Sequence, residues 1–586
     1  MRTPQQVHDY NASRSRTRIP LILVAAALLA AWCVGMFGRA YWTPDEPREA
    51  DIAWRMSWQT DKAVPLLAGE AFCEKPPLTY WISGLAIGSF GDAAWAARLP
   101  NLLYALITAL AVGLLARRAA GAVAGLAAAG AMATFLLSYQ VAIWLATDAP
   151  LLAASTVALL GAYSGFYALG SAQRLRGYTL MHAALALGFL SKSAVAWMVP
   201  ALALLTLAIW ERRWRELLRW ELYAGLAIQA AVILAWVWAV HQGPDGAARL
   251  KVFFWNNLAG RFTQVDAPQE LQYAAAHRNT PGKYFIELPM YLWPWTLLVA
   301  AAARRAWLER RAAAESLRPV RFALACALPS LALLSVAATA RNIYLAPALP
   351  GFALLVGWWA RETLERDDRW DLAAVRGTAL LLLVAAAAFA AALAIVGAEW
   401  LDHAVLDLAI SGAALLAAAV LALRAMAPTG RAGALLGLLM AYCLLISVPA
   451  TALYRSVDAW QDLASIGRAV RADASGRPLI LMAPDETTRA LIDMFARPDV
   501  ELVPGPIDAA AIERLRERLA SEPEALIVTQ LPGRELVGSL RRLAERFGHT
   551  TPLDEEGQPG WILAARLRVL HRYALPNGRR YALLEP

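Results

Sequence analysis

Residues 19–51 read IPLILVAAALLAAWCVGMFGRAYWTPDEPREAD. Ile19 to Phe37 carry no charge, and an uncharged helix of about 20 residues crosses roughly 30 Å of hydrocarbon. Arg14, Arg16 and Arg18 precede the block, and no small-residue cleavage site follows it. It is expected to remain as an uncleaved first membrane helix. Where it ends, Asp45, Glu46, Arg48, Glu49 and Asp51 crowd into one short run. A membrane helix that delivers a dense set of ionisable groups to the water boundary is the pattern from which the rest of the chain is read.

The pattern repeats. Of the 586 residues 59% are hydrophobic and only 17% charged, with a mean hydropathy of +0.43. Soluble domains carry about 25% charged residues, so a chain of several soluble cores is excluded. Apolar blocks follow the first near 96–115, 120–137, 149–170, 178–190, 194–210, 222–240, 286–303, 320–338, 344–360, 375–396, 405–423 and 432–453. Together they predict about 13 spans.

Arg117/Arg118, Arg174/Arg176, Arg212/Arg213/Arg215, Arg304/Arg305, Arg361/Arg366 and Arg424/Arg431 fall in alternate connections. With the basic head they mark one side as cytoplasmic, and an odd number of spans leaves the C-terminus on the other. These loops account for most of the net charge of +9. The four cysteines are scattered and make no disulfide or zinc framework.

The expected fold is mostly α: a polytopic transmembrane helical bundle with interfacial helices and a small C-terminal α/β domain on the outer side. Residues 1–455 form the transmembrane part. Within it 39–93 is a first outer loop carrying two interfacial helices, and 241–285 is a long outer loop. Residues 456–586 form the α/β domain. Its expected strands are Pro478–Met482, Glu501–Val503, Ala525–Thr529, Trp561–Leu570 and Arg580–Leu584. Its helices are Glu486–Phe495, Ile507–Ala520 and Glu535–Phe547.

The candidate functional residues lie on the outer side. Pro44-Asp45 opens a helix, and Glu46 and Glu49 suit its first turn for electrostatic reasons alone; the functional alternative is a base or orienting carboxylate. In Phe72-Cys73-Glu74-Lys75-Pro76-Pro77 the prolines stiffen a loop at a helix N-terminus, where anions bind. A surface ion pair is the plainer reading. Asp148 opens a further span as an N-cap or as a site carboxylate. Lys192 sits in a short outer hairpin, where it can snorkel or reach a lipid phosphate. Asn257 and Arg261 belong to the long outer loop, and Arg341 and Tyr344 lead into the tenth span. Arg48, Lys75, Lys192, Arg261 and Arg341 stand on the face where membrane insertion predicts few cations, so phosphate is the expected ligand.

Asp45-Glu46-Pro47-Arg48 after the first span, Glu74-Lys75-Pro76-Pro77 before Tyr80-Trp81, and Thr147-Asp148-Ala149-Pro150 together resemble the glycosyltransferase C superfamily. Within it the chain is similar to bacterial lipid A aminoarabinose transferases, and Pro294-Trp295 and Tyr344-Leu345-Ala346-Pro347-Ala348-Leu349-Pro350 fit as well.

The resemblance implies inverting transfer of a sugar, by best match 4-amino-4-deoxy-L-arabinose, from undecaprenyl phosphate to lipid A, or in the alternative to another glycan or a protein, at the periplasmic face of a bacterial inner membrane. By that likeness Asp45, Glu74 and Asp148 are catalytic or line the sugar and acceptor cavity. Arg48, Lys75, Lys192, Arg261 and Tyr344 hold donor phosphate, and Glu46, Phe72, Asn257 and Arg341 border the substrate.

The chain departs from the pattern in three places. Glu49 stands where an aromatic residue is usual, and Asn256 or Asn257 replaces a loop histidine that helps bind metal. Arg341 is the nearest cation to an expected lysine. The replaced histidine leaves no metal expected; the expected partners are the lipid bilayer and the lipid-linked donor, with no nucleic acid and a monomeric protein. A transporter or flippase would instead place ionisable groups mid-span and show paired repeats, and neither is found in the sequence.

Overall fold

The computed structural model describes residues 22–43, 45–258, 280–311, 315–337, 341–365, 368–400, 405–427, 431–496, 500–503, 507–531, 559–575 and 578–586. Helix α1, Ile22–Met36, is the described part of the first apolar block. Then come α2 (Asp45–Trp58), the hairpin β1 (Leu66–Leu67) and β2 (Glu70–Ala71), α3 (Leu78–Phe90) and α4 (Ala94–Ala120). The outer loop expected at 39–93 thus holds two helices, α2 and α3.

Next are α5 (Ala122–Thr134), α6 (Leu136–Ile143), α7 (Asp148–Phe166), α8 (Ser171–Lys192) and α9 (Val195–Trp210). They are followed by α10 (Trp220–Ala224), α11 (Leu226–Gln242), α12 (Gly246–Lys251), α13 (Lys283–Tyr291), α14 (Thr296–Leu308) and α15 (Arg318–Val336). A 3-10 turn, Asn342–Ala348, leads into α16 (Leu349–Glu365), and α17 (Arg369–Trp400), α18 (Val405–Met426) and α19 (Arg431–Gln461) complete the apolar part.

Among the described residues seven helices are long and apolar enough to cross a bilayer, or up to nine if the bent pairs α5–α6 and α13–α14 each count as one. The chain is a multi-pass membrane protein. The remaining blocks of the sequence count are shorter apolar helices (α1, α9 and the Arg431–Ser447 part of α19) or, in α8, a helix that starts polar with Arg174 and Arg176.

Burial separates centre from edge: 94% of the apolar window of Asn342–Leu364 is covered, against 22% in Trp220–Gln242 and 28% in α17. Lipid tails are as apolar as leucine, so helices associate through close packing rather than hydrophobic drive. On α7 and α8 small residues let the backbones meet. A Cβ on Gly161 would stand 2.6 Å from the Met181 nitrogen, and one on Gly177 2.4 Å from that of Gly165.

After α20 (Leu463–Ala474) the chain builds a mixed layer from β3 (Leu479–Met482), α21 (Glu486–Ala496), β4 (Val500–Val503), α22 (Ala509–Ser521), β5 (Leu526–Leu531), α23 (Gly560–Ala564), β6 (Arg568–Ala574) and β7 (Arg580–Glu585). The strand order is β4-β3-β5-β7-β6. β3 pairs parallel with β4 and β5, while β7 pairs antiparallel with β5 and β6. Asp462 and Asp508 cap α20 and α22 through their carboxylates, as short acidic side chains do at helix starts.

The strand expected at Trp561–Leu570 is corrected. Pro559 opens a helical turn over Gly560–Ala564, Arg566 at φ +57 ends it, and the strand begins only at Arg568. The helix expected at Glu535–Phe547 lies outside the described residues.

Candidate active site

Helix α2 starts at the end of the first span, and its first turn sends neighbouring side chains in different directions, about 100° apart per residue. Asp45 keeps its side chain 21% exposed, while Glu46 is turned into the protein interior. Arg341 donates to Asp45 Oδ2, and Arg48 Nη2 lies 3.4 Å from Oδ1. Burial pushes the Asp45 carboxyl up, but Arg341, Arg48 and Lys75 outweigh it and hold the group below its ordinary value. Asp45 is therefore a carboxylate at neutral pH.

Lys75, delivered by the loop before Pro76-Pro77, donates to Glu49 of α2, whose other oxygen accepts from the Tyr80 hydroxyl at 2.8 Å. Glu49 is buried, which raises its carboxyl; Lys75 and Arg48 overcome that and hold it low. Arg48 also reaches Glu486 at 2.8 Å. Burial disfavours its charge, yet Glu49, Glu486, Glu74 and Asp45 together raise it. Phe72 is buried beneath both cations, 5.8 Å from each. Asn257 reaches in from the long loop and donates to the Glu74 carbonyl.

A second pair adjoins the first. Lys192, the last residue of α8, lies 2.5 Å from Asp148 at the start of α7, and its ammonium sits 5.1 Å from the Tyr344 ring. Tyr344 belongs to the turn that follows Arg341, whose carbonyl accepts from Tyr284 at 2.7 Å.

Thus Asp45, Arg48, Phe72, Glu74, Lys75 and Arg341, and next to them Asp148, Lys192 and Tyr344, meet at one end of the bundle. Arg261 lies outside the described residues.

Glu46, expected at the substrate, is corrected. It is fully buried, 2.6 Å from Arg39 and 2.8 Å from Arg98. It also accepts the Trp42 and Leu145 backbone N–H groups, both at 2.9 Å. Burial raises its carboxyl, but Arg98 and Arg39 bring it down to about 2. Burial likewise depresses the Arg39 guanidinium more than Glu46 lifts it, but a guanidinium starts high enough to stay charged. With all its oxygens taken, Glu46 ties α1, α2, α4 and the turn after α6 together instead of facing a ligand.

Three further residues escaped the sequence reading. Arg98 had a signal, an isolated cation inside an apolar block. Glu49 reads in the sequence as a first-turn acid and a departure from the family pattern, with nothing to point to its partner Lys75. Glu486 comes from the α/β layer, where α21 lies on α2: Arg55 pairs with Asp493, and Arg489 lies 3.1 Å from Glu70. Among the described residues no group of three or more His, Cys, Asp or Glu side chains could hold a metal ion.

Residues 74–238 match the family described as dolichyl-phosphate-mannose-protein mannosyltransferase. The undecaprenyl phosphate-alpha-4-amino-4-deoxy-L-arabinose arabinosyl transferase of Pseudomonas aeruginosa is 31% identical over 380 residues, 65% of this chain and 65% of that protein. The transferase of that name from Pectobacterium carotovorum is 31% identical over 62% of this chain and 64% of its own length. The match therefore spans just under two thirds of these relatives.

The crystal structure of ArnT from Cupriavidus metallidurans bound to undecaprenyl phosphate superposes with a TM-score of 0.69 at 18% identity, covering 96% of this chain and 97% of that one. Its apo form gives 0.67 at 19% identity, covering 97% and 98%. The chain shares that fold, and the resemblance read from the motifs is found in sequence and in structure.

Proposed function

We propose that this chain is a membrane glycosyltransferase of the aminoarabinose-transferase kind, which moves a sugar from undecaprenyl phosphate to lipid A. The observation that carries the reading is the gathering of Arg48, Lys75 and Arg341 around the Asp45 carboxylate at the end of the apolar helices. The names of the relatives from Pseudomonas and Pectobacterium support the donor and the sugar. With the basic loops inside, the N-terminus is cytoplasmic and the site faces the periplasm of a bacterial inner membrane. The thirteen-span plan belongs to this reading, as does a separate periplasmic domain from residue 456.

The chemistry follows from charge. The leaving group is a lipid phosphate, and cations aimed at its oxygens stabilise the charge that builds as the glycosidic bond breaks. Arg48 and Arg341 offer planar forks that match phosphate oxygens, and Lys75 a point charge. Lys192 and Tyr344 extend the set. Asp45 is held low, which makes it a poor proton acceptor and a good fixed negative charge. That suits orienting an acceptor that is already nucleophilic, such as a phosphate, and balancing positive charge developing on the sugar. Glu74 and Asp148 line the sugar side. Both substrates are amphiphiles, so the site must stand at the membrane surface.

The match of 74–238 to a family of protein mannosyltransferases favours a second reading, the same donor chemistry with a protein or glycan acceptor. Purified protein given undecaprenyl-phosphate aminoarabinose and lipid A, with products followed by mass, decides between them. Lipid A heavier by one aminoarabinose supports the first reading. Donor consumption only when a peptide or glycan is supplied supports the second.

A further inference from the structure

The end of the bundle opposite Asp45 carries a polar cavity. α7 starts at Asp148 beside Lys192, and its 19 residues extend about 28 Å, one hydrocarbon thickness. α9 starts close after Lys192 and runs the same way, and α15 runs the reverse way, ending at Val336 shortly before Arg341. The far ends of these three helices enclose a cavity of about 450 Å³.

Arg212, Arg213, Arg318 and Arg321 line it together with the single carboxylate of Glu211. Glu211 is engaged, accepting from the Tyr167 hydroxyl at 2.7 Å and lying 3.7 Å from Arg321 and 3.9 Å from Arg213. Arg213 is fixed by the Phe166 carbonyl at 3.0 Å and by Glu216 at 2.9 Å. Arg318 pairs with the highly exposed Glu315, 81% accessible, at 2.9 Å. Arg212 is exposed at the mouth.

Arginines in the loops of this face are what membrane insertion predicts, but insertion asks only for charge, not for a shared hollow. Here Arg213 and Arg318 both stand against the Tyr167 ring, at 5.7 and 5.5 Å. Guanidinium planes held in this way are preorganised for phosphate oxygens. The rim is apolar: Leu169 is 98% exposed and Trp210 47%, surfaces that suit acyl chains and the headgroup boundary.

We propose that this cavity binds the phosphate headgroup of an anionic phospholipid in the leaflet opposite the Asp45 site. A soluble anion would need the arginines but not Leu169 and Trp210. The proposal stands apart from the sugar-transfer reading.

The test uses the full chain in a neutral detergent with added phosphatidylglycerol, and counts retained lipid by native mass spectrometry. Wild type and Arg215→Gln, an arginine of the same turn outside the cavity lining, should retain the lipid equally. Arg212→Gln/Arg318→Gln should bind it about thirtyfold more weakly. Phosphatidylcholine should be retained by none, and a large excess of inorganic phosphate should leave the bound lipid in place.

Equal retention by the double variant and wild type overturns the proposal. So does equal loss in Arg215→Gln, which would make the attraction diffuse, and so does full displacement by inorganic phosphate. Should the double variant fail to fold, Arg318→Lys keeps the charge without the fork. Several-fold weaker retention is then expected, and unchanged retention overturns the proposal.

Discussion

Glu46→Gln takes the carboxylate from a pocket that holds the guanidinium groups of Arg39 and Arg98. The Glu46 carboxyl sits at about 2 against an ordinary 4.5. Each unit of difference is worth 1.36 kcal/mol, so ionised Glu46 stabilises the fold by about 3 kcal/mol. Because the folded value is depressed, this contribution is complete above about pH 4.5 and is lost as pH falls toward about 2.

Removing one partner of a buried ion set costs about 3–5 kcal/mol by a separate argument, since the remaining charges stay buried and uncompensated. The two figures agree. Heating in detergent with a thiol-reactive dye reports the exposure of Cys326 and Cys443, both buried. Glu46→Gln should melt roughly 3–10 °C below wild type at pH 7. Below that melting temperature its transfer kinetics should stay within about twofold of wild type. A variant that melts like wild type but loses transfer would refute the reasoning and return Glu46 to the substrate.

Burial first, and Asp493 next, push the Asp51 carboxyl well above its ordinary 3.8. The folded state then binds more protons than the unfolded one, so stability falls as pH rises above the ordinary 3.8 toward the raised folded value; melting curves at successively higher pH should show the decline, and Asp51→Asn should abolish it. Glu486→Ala should cost under about 1 kcal/mol, because the Glu486 side chain is 58% exposed and Arg48 keeps Glu49 and Asp45 as partners. It frees Arg48 for the donor, so initial rates should give a lower donor KM, and a higher one contradicts the assignment. Gly177→Ala puts a methyl 2.4 Å from the Gly165 nitrogen and should destabilise by about 1–3 kcal/mol in the same melting assay.

Much of this was legible along the chain. The helices were, because uncharged blocks between arginine-bearing loops leave the backbone little else to do in lipid. Lys75 and Arg341 stood out as cations on the face where insertion predicts few, and the structure brings both to Asp45. The direction of adjacent side chains was not legible: whether Asp45 or Glu46 turns inward is set by Arg98, on a helix that no local pattern links to α2. Glu486 reaches Arg48 only because α21 lies on α2, a tertiary contact between regions far apart in sequence. The Trp561 segment has the residue types of a strand, and Pro559-Gly560 turned it into a helical start. The number of crossings depends on short helices such as α9, whose sequence reads like a full span.

Sugar transfer by Asp45→Asn tests the central claim most directly, that the ion cluster around Asp45 is where the glycosidic bond breaks. Single-turnover release from undecaprenyl-phosphate aminoarabinose is compared with wild type, at a temperature where both proteins are folded. The account predicts a rate lower by about 10²–10³ with melting within a few degrees of wild type, since Asp45 is only half-buried. A folded Asp45→Asn protein that keeps half of the wild-type rate would contradict it.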